Sequence, residues 1–165
     1  VDDQLRNVEG ARRLGIETVH FDVAAADACF ASVRRQLGLE AISRGARQAV
    51  FVDASRESVG VVEKNIAATG FSDRACVKNL DFASFLARES GRFDIAFLDP
   101  PYRTGLLQRA LPLTAAVMNP GGTIICEHPA DEELPGAVGD FVRVRSSRYG
   151  KILLTVFRHK DVSQL

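Results

Sequence analysis

Four consecutive residues, Asp99-Pro100-Pro101-Tyr102, place a carboxylate, two rigid imides and a phenol directly behind the apolar run Phe93–Leu98 (FDIAFL). Two prolines in succession hold the chain extended and bring no N–H donors. What remains at the end of the run is a set of acceptors, the Asp99 carboxylate and the proline carbonyls, with the flat face of Tyr102 beside them. Two acceptors can take the two hydrogens of an exocyclic amine while the ring stacks on the base that carries it. The amine lone pair is then aimed at an electrophile. Catalysis of that kind is orientation plus fixed electrostatics and needs no strong base. Two further carboxylates, Asp53 and Asp81, also stand where strand-like runs end. Any one Asp in such a place can simply cap the next helix; three of them on one rim point to a ligand.

Carboxylates can share a rim only if their strands run the same way. The β-branched and aromatic run Ile16–Phe21 predicts a strand, as do Gln48–Val52, Arg74–Lys78, Phe93–Leu98 and Thr123–Glu127. Helices are expected between them over Asp27–Arg44, Ser55–Thr69, Asp81–Glu89 and Thr104–Met118. Phe30, Val33, Leu37 and Ala41 share one face of the first, which Gly45 ends. Val59, Val62 and Ile66 form the inward face of the second, which Gly70 stops. Pro120-Gly121-Gly122 reads as a turn, and Asp140–Ser147 with Ile152–Arg158 as a hairpin turning at Tyr149-Gly150. The alternation predicts an α/β fold: a mostly parallel sheet, helices on both faces and an antiparallel C-terminal hairpin. The strand Ile16–Phe21 is expected beside the one that ends at Asp53. Ligands of such sheets sit outside the carboxyl ends of the strands, where all three carboxylates fall.

A chain of 165 residues suits one domain, expected here over residues 1–165. No apolar run approaches the ~20 residues that span a bilayer, and Val1–Asn7 carries two aspartates with no apolar core behind it, so neither a membrane span nor a secretory signal is expected. Because the chain starts at Val1 and not Met, a trimmed or truncated N-terminus is expected. Cys29, Cys76 and Cys126 form no CxxC pair and read as buried free thiols of a reducing cytoplasm. His20, His128 and His159 share no ligand spacing, so no metal site is expected. The net charge is zero, which removes any global pull toward nucleic acid. Yet arginine supplies 17 of the 21 basic residues, and its planar fork suits phosphate. Arg143, Arg145, Arg148, Lys151, Arg158 and Lys160 make the last hairpin basic, with no acid between Phe141 and Lys160. That face either contacts phosphates or uses charge to guard a sheet edge.

The DPPY tetrapeptide resembles motif IV of S-adenosylmethionine-dependent methyltransferases that act on amino groups of nucleobases. The wider pattern resembles the RsmD family in order and spacing: Gly38-Leu39-Glu40-Ala41-Ile42-Ser43-Arg44-Gly45-Ala46, Val50-Phe51-Val52-Asp53, Asn65-Ile66, Asp81 with Ser84-Phe85-Leu86, FDIAFLDPPYRTG, Pro120-Gly121-Gly122 and Arg148-Tyr149-Gly150. The resemblance covers about residues 37–160. It implies a Rossmann-like class I methyltransferase fold and methylation of N2 of a guanine in 16S ribosomal RNA, with S-adenosylmethionine as cofactor. It implies that Asp53 bonds the cofactor ribose, that Asp81 with Phe82 sits at the adenine, and that Asp99, Pro100 and Tyr102 handle the guanine. Arg103, Arg148, Tyr149 and Lys151 then face the RNA, either ribosomal RNA or a small-subunit precursor, and a cytoplasmic monomer is expected.

The chain departs from that family where a glycine-rich loop of the type DLFAGSGALG follows the first strand. The equivalent stretch here is Cys29–Gly38, and no glycine occurs between Gly15 and Gly38. Val33, Arg34 and Arg35 would crowd the methionine end of the cofactor, so weak affinity for it is expected. In place of the family's N-terminus, residues 1–22 resemble the last motif of haloacid-dehalogenase-type phosphatases, through Val1-Asp2-Asp3-Gln4-Leu5-Arg6-Asn7 and Gly15-Ile16-Glu17-Thr18-Val19-His20-Phe21. No DxDxT nucleophile segment accompanies it, so no magnesium site is expected. The match suggests a joined or frame-shifted reading frame. Two other readings stay open beside the enzyme: a methyltransferase-like domain without a working cofactor loop that binds RNA or does nothing, and a nicotinamide-dependent dehydrogenase with Asp53 on a ribose, although GxGxxG is missing.

Overall fold

Eight strands, β1 (Glu17–Asp22), β2 (Gln48–Val52), β3 (Ala75–Lys78), β4 (Phe93–Asp99), β5 (Met118–Pro129), β6 (Ala137–Val138), β7 (Phe141–Tyr149) and β8 (Ile152–His159), hydrogen-bond into one sheet in the order β3-β2-β1-β4-β5-β8-β7-β6. The computed structural model describes residues 17–22, 37–90 and 92–162. The strands from β3 to β5 pair in parallel; β8, β7 and β6 complete the sheet antiparallel. The sequence order reverses between β1 and β4, which is the switch point where such sheets open a crevice. The strand expected at Ile16–Phe21 is present as β1 and lies beside β2, with Phe21 level with Val52.

The helices are residues 37–43 (α1), Arg56–Thr69 (α2), Phe82–Arg88 (α3) and Leu106–Ala116 (α4), with a short 3₁₀ turn at Lys160–Val162. Local chemistry sets their ends. Ser55 caps α2 by accepting the Ser58 N–H at 3.3 Å. Gly70 ends it in the left-handed region at φ 71°, open to glycine at no steric cost. In α4, Leu107, Ala110, Leu111 and Thr114 recur at helical spacing and are all buried. That stripe holds the helix together through Pro112, which cannot donate to the turn before it.

Alternate residues of β2 point to opposite faces and enter different cores. Ala49 and Phe51 pack with Leu39, Ile42, Val62 and Ile66, under α1 and α2. Val52 packs with Phe82, Phe85, Leu86, Leu98, Leu111, Ile124 and Phe157, under α3 and α4. Both faces of the parallel half are therefore covered, and its strands read as nearly continuous apolar runs for that reason.

Five expectations need correction. Leu37 is exposed, because the buried side of α1 is made by Gly38, Leu39, Ala41 and Ile42. The turn at Pro120-Gly121-Gly122 lies inside a strand: Met118 already pairs with Phe93 and Thr123 with Ile95, so residues 119–122 form a bulge within β5. Gly122 is required there, since a Cβ would stand 2.9 Å from the Asn119 carbonyl oxygen and 3.2 Å from that of Asp94. The helix before it is shorter than expected, because Met118 belongs to β5. The hairpin turns through Gly150-Lys151, with Tyr149 still paired to Ile152. Of the thiols, Cys126 is fully buried, which pushes its pKa up, and Cys76 is half-buried. Cys29, Phe30 and Val33 lie outside the described residues.

Candidate active site at the carboxyl edge of the sheet

Register places a row of acids along one edge. Asp22 is level with Asp99 across β1 and β4, and Asp53 follows Val52, the partner of Phe21. On the far side of β4, Leu98 is level with Cys126, so Glu127 comes level with Asp99. Three apolar strands thus end in the same way, VHFD, VFVD and AFLD. Asp53 and Asp99 were expected at strand ends and are found there. Asp22 and Glu127 were not singled out. The repeated ending was the signal for Asp22; Glu127 needs the cross-strand register.

Asp53 is 3% exposed. Its Oδ1 accepts the Ser55 N–H at 2.7 Å, and the Asn79 side-chain amide donates to the carbonyls of Asp53 and Ala54 at 3.0 and 3.1 Å, which ties the ends of β2 and β3 together. Asp81 is exposed and caps α3, accepting the Ser84 N–H at 3.0 Å. Hydrogen bonds from Ser84 hold its carboxyl below the usual range. Phe82 is buried in the core with the Arg109 guanidinium 6.0 Å from its ring centroid, so it offers the edge its backbone, in the first turn of α3, where N–H groups lack helical partners. A buried strand-end carboxylate and an exposed helix-capping one, following adjacent strands, make a set of acceptors that fits the hydroxyls of a ribose and the amine of an adenine. The glycine-free stretch 29–36 lies outside the described residues.

The cap makes a prediction. Asp81 titrates lower in the folded state than unfolded, so its stabilisation is present above the unfolded value near 3.9 and is lost as pH falls through the folded value. Asp81→Ala is expected to cost about 0.5–1 kcal/mol at neutral pH, the low end for a lost cap because the site is solvated. Urea melts of the two proteins at pH 7 and pH 3 should differ at the first and converge toward the second.

The other half of the edge is built on the segment after β4. Asp99 is 5% exposed and Pro100 is buried. The half-exposed Tyr102 donates its hydroxyl hydrogen to Glu127 Oε1 at 2.6 Å. Arg103 adopts φ 60°, uncommon for a residue with a side chain. It is held by an ion pair from Nη2 to Asp131 at 2.7 Å, which also lowers the Asp131 carboxyl, and by the Thr104 hydroxyl donating back to the Pro101 carbonyl at 2.6 Å. Tyr102, Arg103, Pro129, Asp131, Arg148 and Lys151 line an open pocket of about 480 Å³. The fold therefore brings Tyr102, Arg103, Arg148 and Lys151 together. Tyr149 is exposed but does not line that pocket, and Asp53 and Asp81 lie across β1 from it. Arg148 also donates from Nε to the Gly150 carbonyl at 2.9 Å, which holds the hairpin tip. His128 is buried and bonded to Thr155 at 2.8 Å. Among the described residues no three His, Cys, Asp or Glu gather as a metal site, and no helix is long and apolar enough to cross a membrane.

Comparison with known proteins points the same way. The model of the family described as Conserved hypothetical protein 95 matches residues 29–158. The "Putative rRNA methyltransferase YlbH" of Bacillus subtilis strain 168 is 33% identical over 130 residues, which are 75% of this chain and 70% of that protein. The "Ribosomal RNA small subunit methyltransferase D" of Escherichia coli strain K12 is 40% identical over 85 residues, 52% of this chain but only 42% of that protein. A solved structure titled "Putative methyltransferase yhhF from Escherichia coli" superposes with a TM-score of 0.74 at 24% identity, covering 96% of this chain and 83% of that one. The fold is that of class I methyltransferases. The phosphatase resemblance of residues 1–22, and the joined reading frame inferred from it, are not borne out: these matches are to methyltransferases, and Glu17–Asp22 pairs between β2 and β4 in the parallel sheet.

Proposed function

The chain belongs to the Conserved hypothetical protein 95 family, and from that membership we propose that it transfers a methyl group from S-adenosylmethionine to the exocyclic N2 of a guanine in small-subunit ribosomal RNA. The observation that carries the reading is the DPPY segment at the end of β4, with Asp99 buried and Tyr102 at the mouth of a basic-lined pocket. The Asp99 carboxylate and the Pro100 carbonyl accept the two amine hydrogens, and the Tyr102 ring stacks on the base. These contacts aim the N2 lone pair along the edge toward β1 and β2. Asp53 holds the cofactor ribose, and Asp81 with the backbone of Phe82 holds its adenine. The cofactor supplies an electrophilic methyl on a sulfonium centre. The guanine reaches this rim only if it is unstacked or flipped out of its helix. The protein acts as a cytoplasmic monomer on ribosomal RNA or its small-subunit precursor.

The test is methyl transfer from labelled S-adenosylmethionine to deproteinised and subunit-bound small-subunit RNA, with the product nucleoside identified by mass spectrometry. N2-methylguanosine at one position supports the reading, and no label or a different methylated nucleoside overturns it.

The basic hairpin makes its own prediction. With Arg103, Arg148, Tyr149 and Lys151 facing the RNA backbone, Arg148→Ala and Lys151→Ala should each weaken RNA binding. Each should also lower the slope of log affinity against log salt by roughly 0.7–0.9. A salt series of filter-binding curves measures this; an unchanged slope would leave these charges as guards of the sheet edge.

A further inference from the structure

The proposed chemistry accounts for the guanine amine but not for what tells guanine from other bases. We infer that Glu127 is the residue that selects guanine, by accepting the N1–H that lies next to N2 on the base. The inference rests on the methyltransferase reading and adds a residue to it. Leu98 and Cys126 are level in the parallel β4–β5 pair and both face the core, so the next residue of each strand, Asp99 and Glu127, turns to the same opposite face. Neighbouring strands lie roughly 4.8 Å apart, so the two carboxylates arise side by side from one edge, and the longer Glu127 side chain can reach a group next to the one that Asp99 holds. The Tyr102 hydroxyl bonds Glu127 Oε1 at 2.6 Å, the length of a charge-assisted O–H to carboxylate bond. It ties this carboxylate to the stacking ring, which lines the pocket.

The base chemistry supplies the discrimination. Guanine presents two neighbouring donors, N1–H and the N2 amine. With the amine on Asp99 and Pro100, N1–H points at the next strand end, which is Glu127. Adenine carries a bare N1, whose lone pair would meet the carboxylate, and has no amine at position 2. Cytosine offers an amine beside an unprotonated N3. A hydrogen bond to a charged acceptor is strong enough that its loss gives about tenfold or more in affinity.

Three single-stranded oligouridylates separate the roles: one carrying a single guanine, one with inosine there, which keeps N1–H but lacks the amine, and one with 2-aminopurine, which keeps the amine but lacks N1–H. Binding is measured by anisotropy for the wild-type chain, E127Q, E127A and Y102F. Wild type should prefer guanine over 2-aminopurine by about tenfold or more. E127Q and E127A should lose about tenfold on the guanine and inosine oligomers and less than twofold on 2-aminopurine, and Y102F should fall between them. Equal losses on all three, no loss at all, or a wild-type chain without the guanine preference would overturn the inference. The same preparations are assayed for methyl transfer to small-subunit RNA. Transfer that persists while E127A treats the three oligomers as wild type does overturns Glu127 alone; absent transfer with the guanine preference intact overturns the methyltransferase reading and leaves Glu127 a reader of guanine.

Discussion

Asp99→Ala is expected to lower the rate of methyl transfer to small-subunit RNA by roughly 10²–10³, the usual worth of one positioned electrostatic group, while leaving cofactor affinity within a factor of about two. The asymmetry follows from position. Asp99 ends β4, whereas the groups proposed to hold the cofactor end β2 and β3, on the other side of β1. Asp99→Asn keeps one carbonyl acceptor and should lose less. Tyr102→Ala removes the stack, worth about 1–3 kcal/mol per base, and Tyr102→Phe retains it. Single-turnover transfer assays beside calorimetric cofactor titrations measure the two quantities separately. A fully active Asp99→Ala protein would reduce DPPY to a strand-ending turn.

The second large effect concerns stability. Phe157 is fully buried in β8, level with Ile124 of β5, which is also fully buried. Removing its ring should cost about 3–5 kcal/mol, the lost transfer energy plus that of an unfilled cavity. That is a large share of the ~5–15 kcal/mol by which domains are stable. Phe157→Ala should shift the urea midpoint far down with an unchanged slope, and the exposed Val144→Ala in β7 should stay within about 0.5 kcal/mol of wild type. A Phe157→Ala protein that melts like wild type would mean that the antiparallel half is not part of the cooperative core.

What the sequence made legible was local. Gln48–Val52 was bounded correctly, and the helix expected at Ser55–Thr69 begins one residue later because Ser55 is its cap, since alternation, a serine cap and a stop glycine all act within a few residues. Asp53 and Asp99 were legible for the same reason, each ending an apolar run. The misses needed distant information. Pro120-Gly121-Gly122 does bend the backbone, but only the pairing of Met118 with Phe93 makes the bend a bulge inside a strand. Leu37 fits a helical stripe, yet what α1 buries is decided by the Phe51 ring it packs against. β6 has two residues, too few to carry a pattern, and exists because Phe141 and Val142 pair with it. Glu127 meets Tyr102 across 25 residues, and Arg103 meets Asp131 across 28; no spacing rule reaches that far.

The strand order has a consequence for how the chain acquires its shape. β8 is synthesised after β7 yet lies between β5 and β7. Until residues 152–159 exist, β5 has no strand partner on that side, and Ile124 and Cys126, though packed against α3 and α4, lack their neighbour Phe157. A nascent chain therefore carries an open, adhesive sheet margin until its hairpin folds back and wedges in. Polypeptides cut just before Ile152 should be captured by chaperones or aggregate.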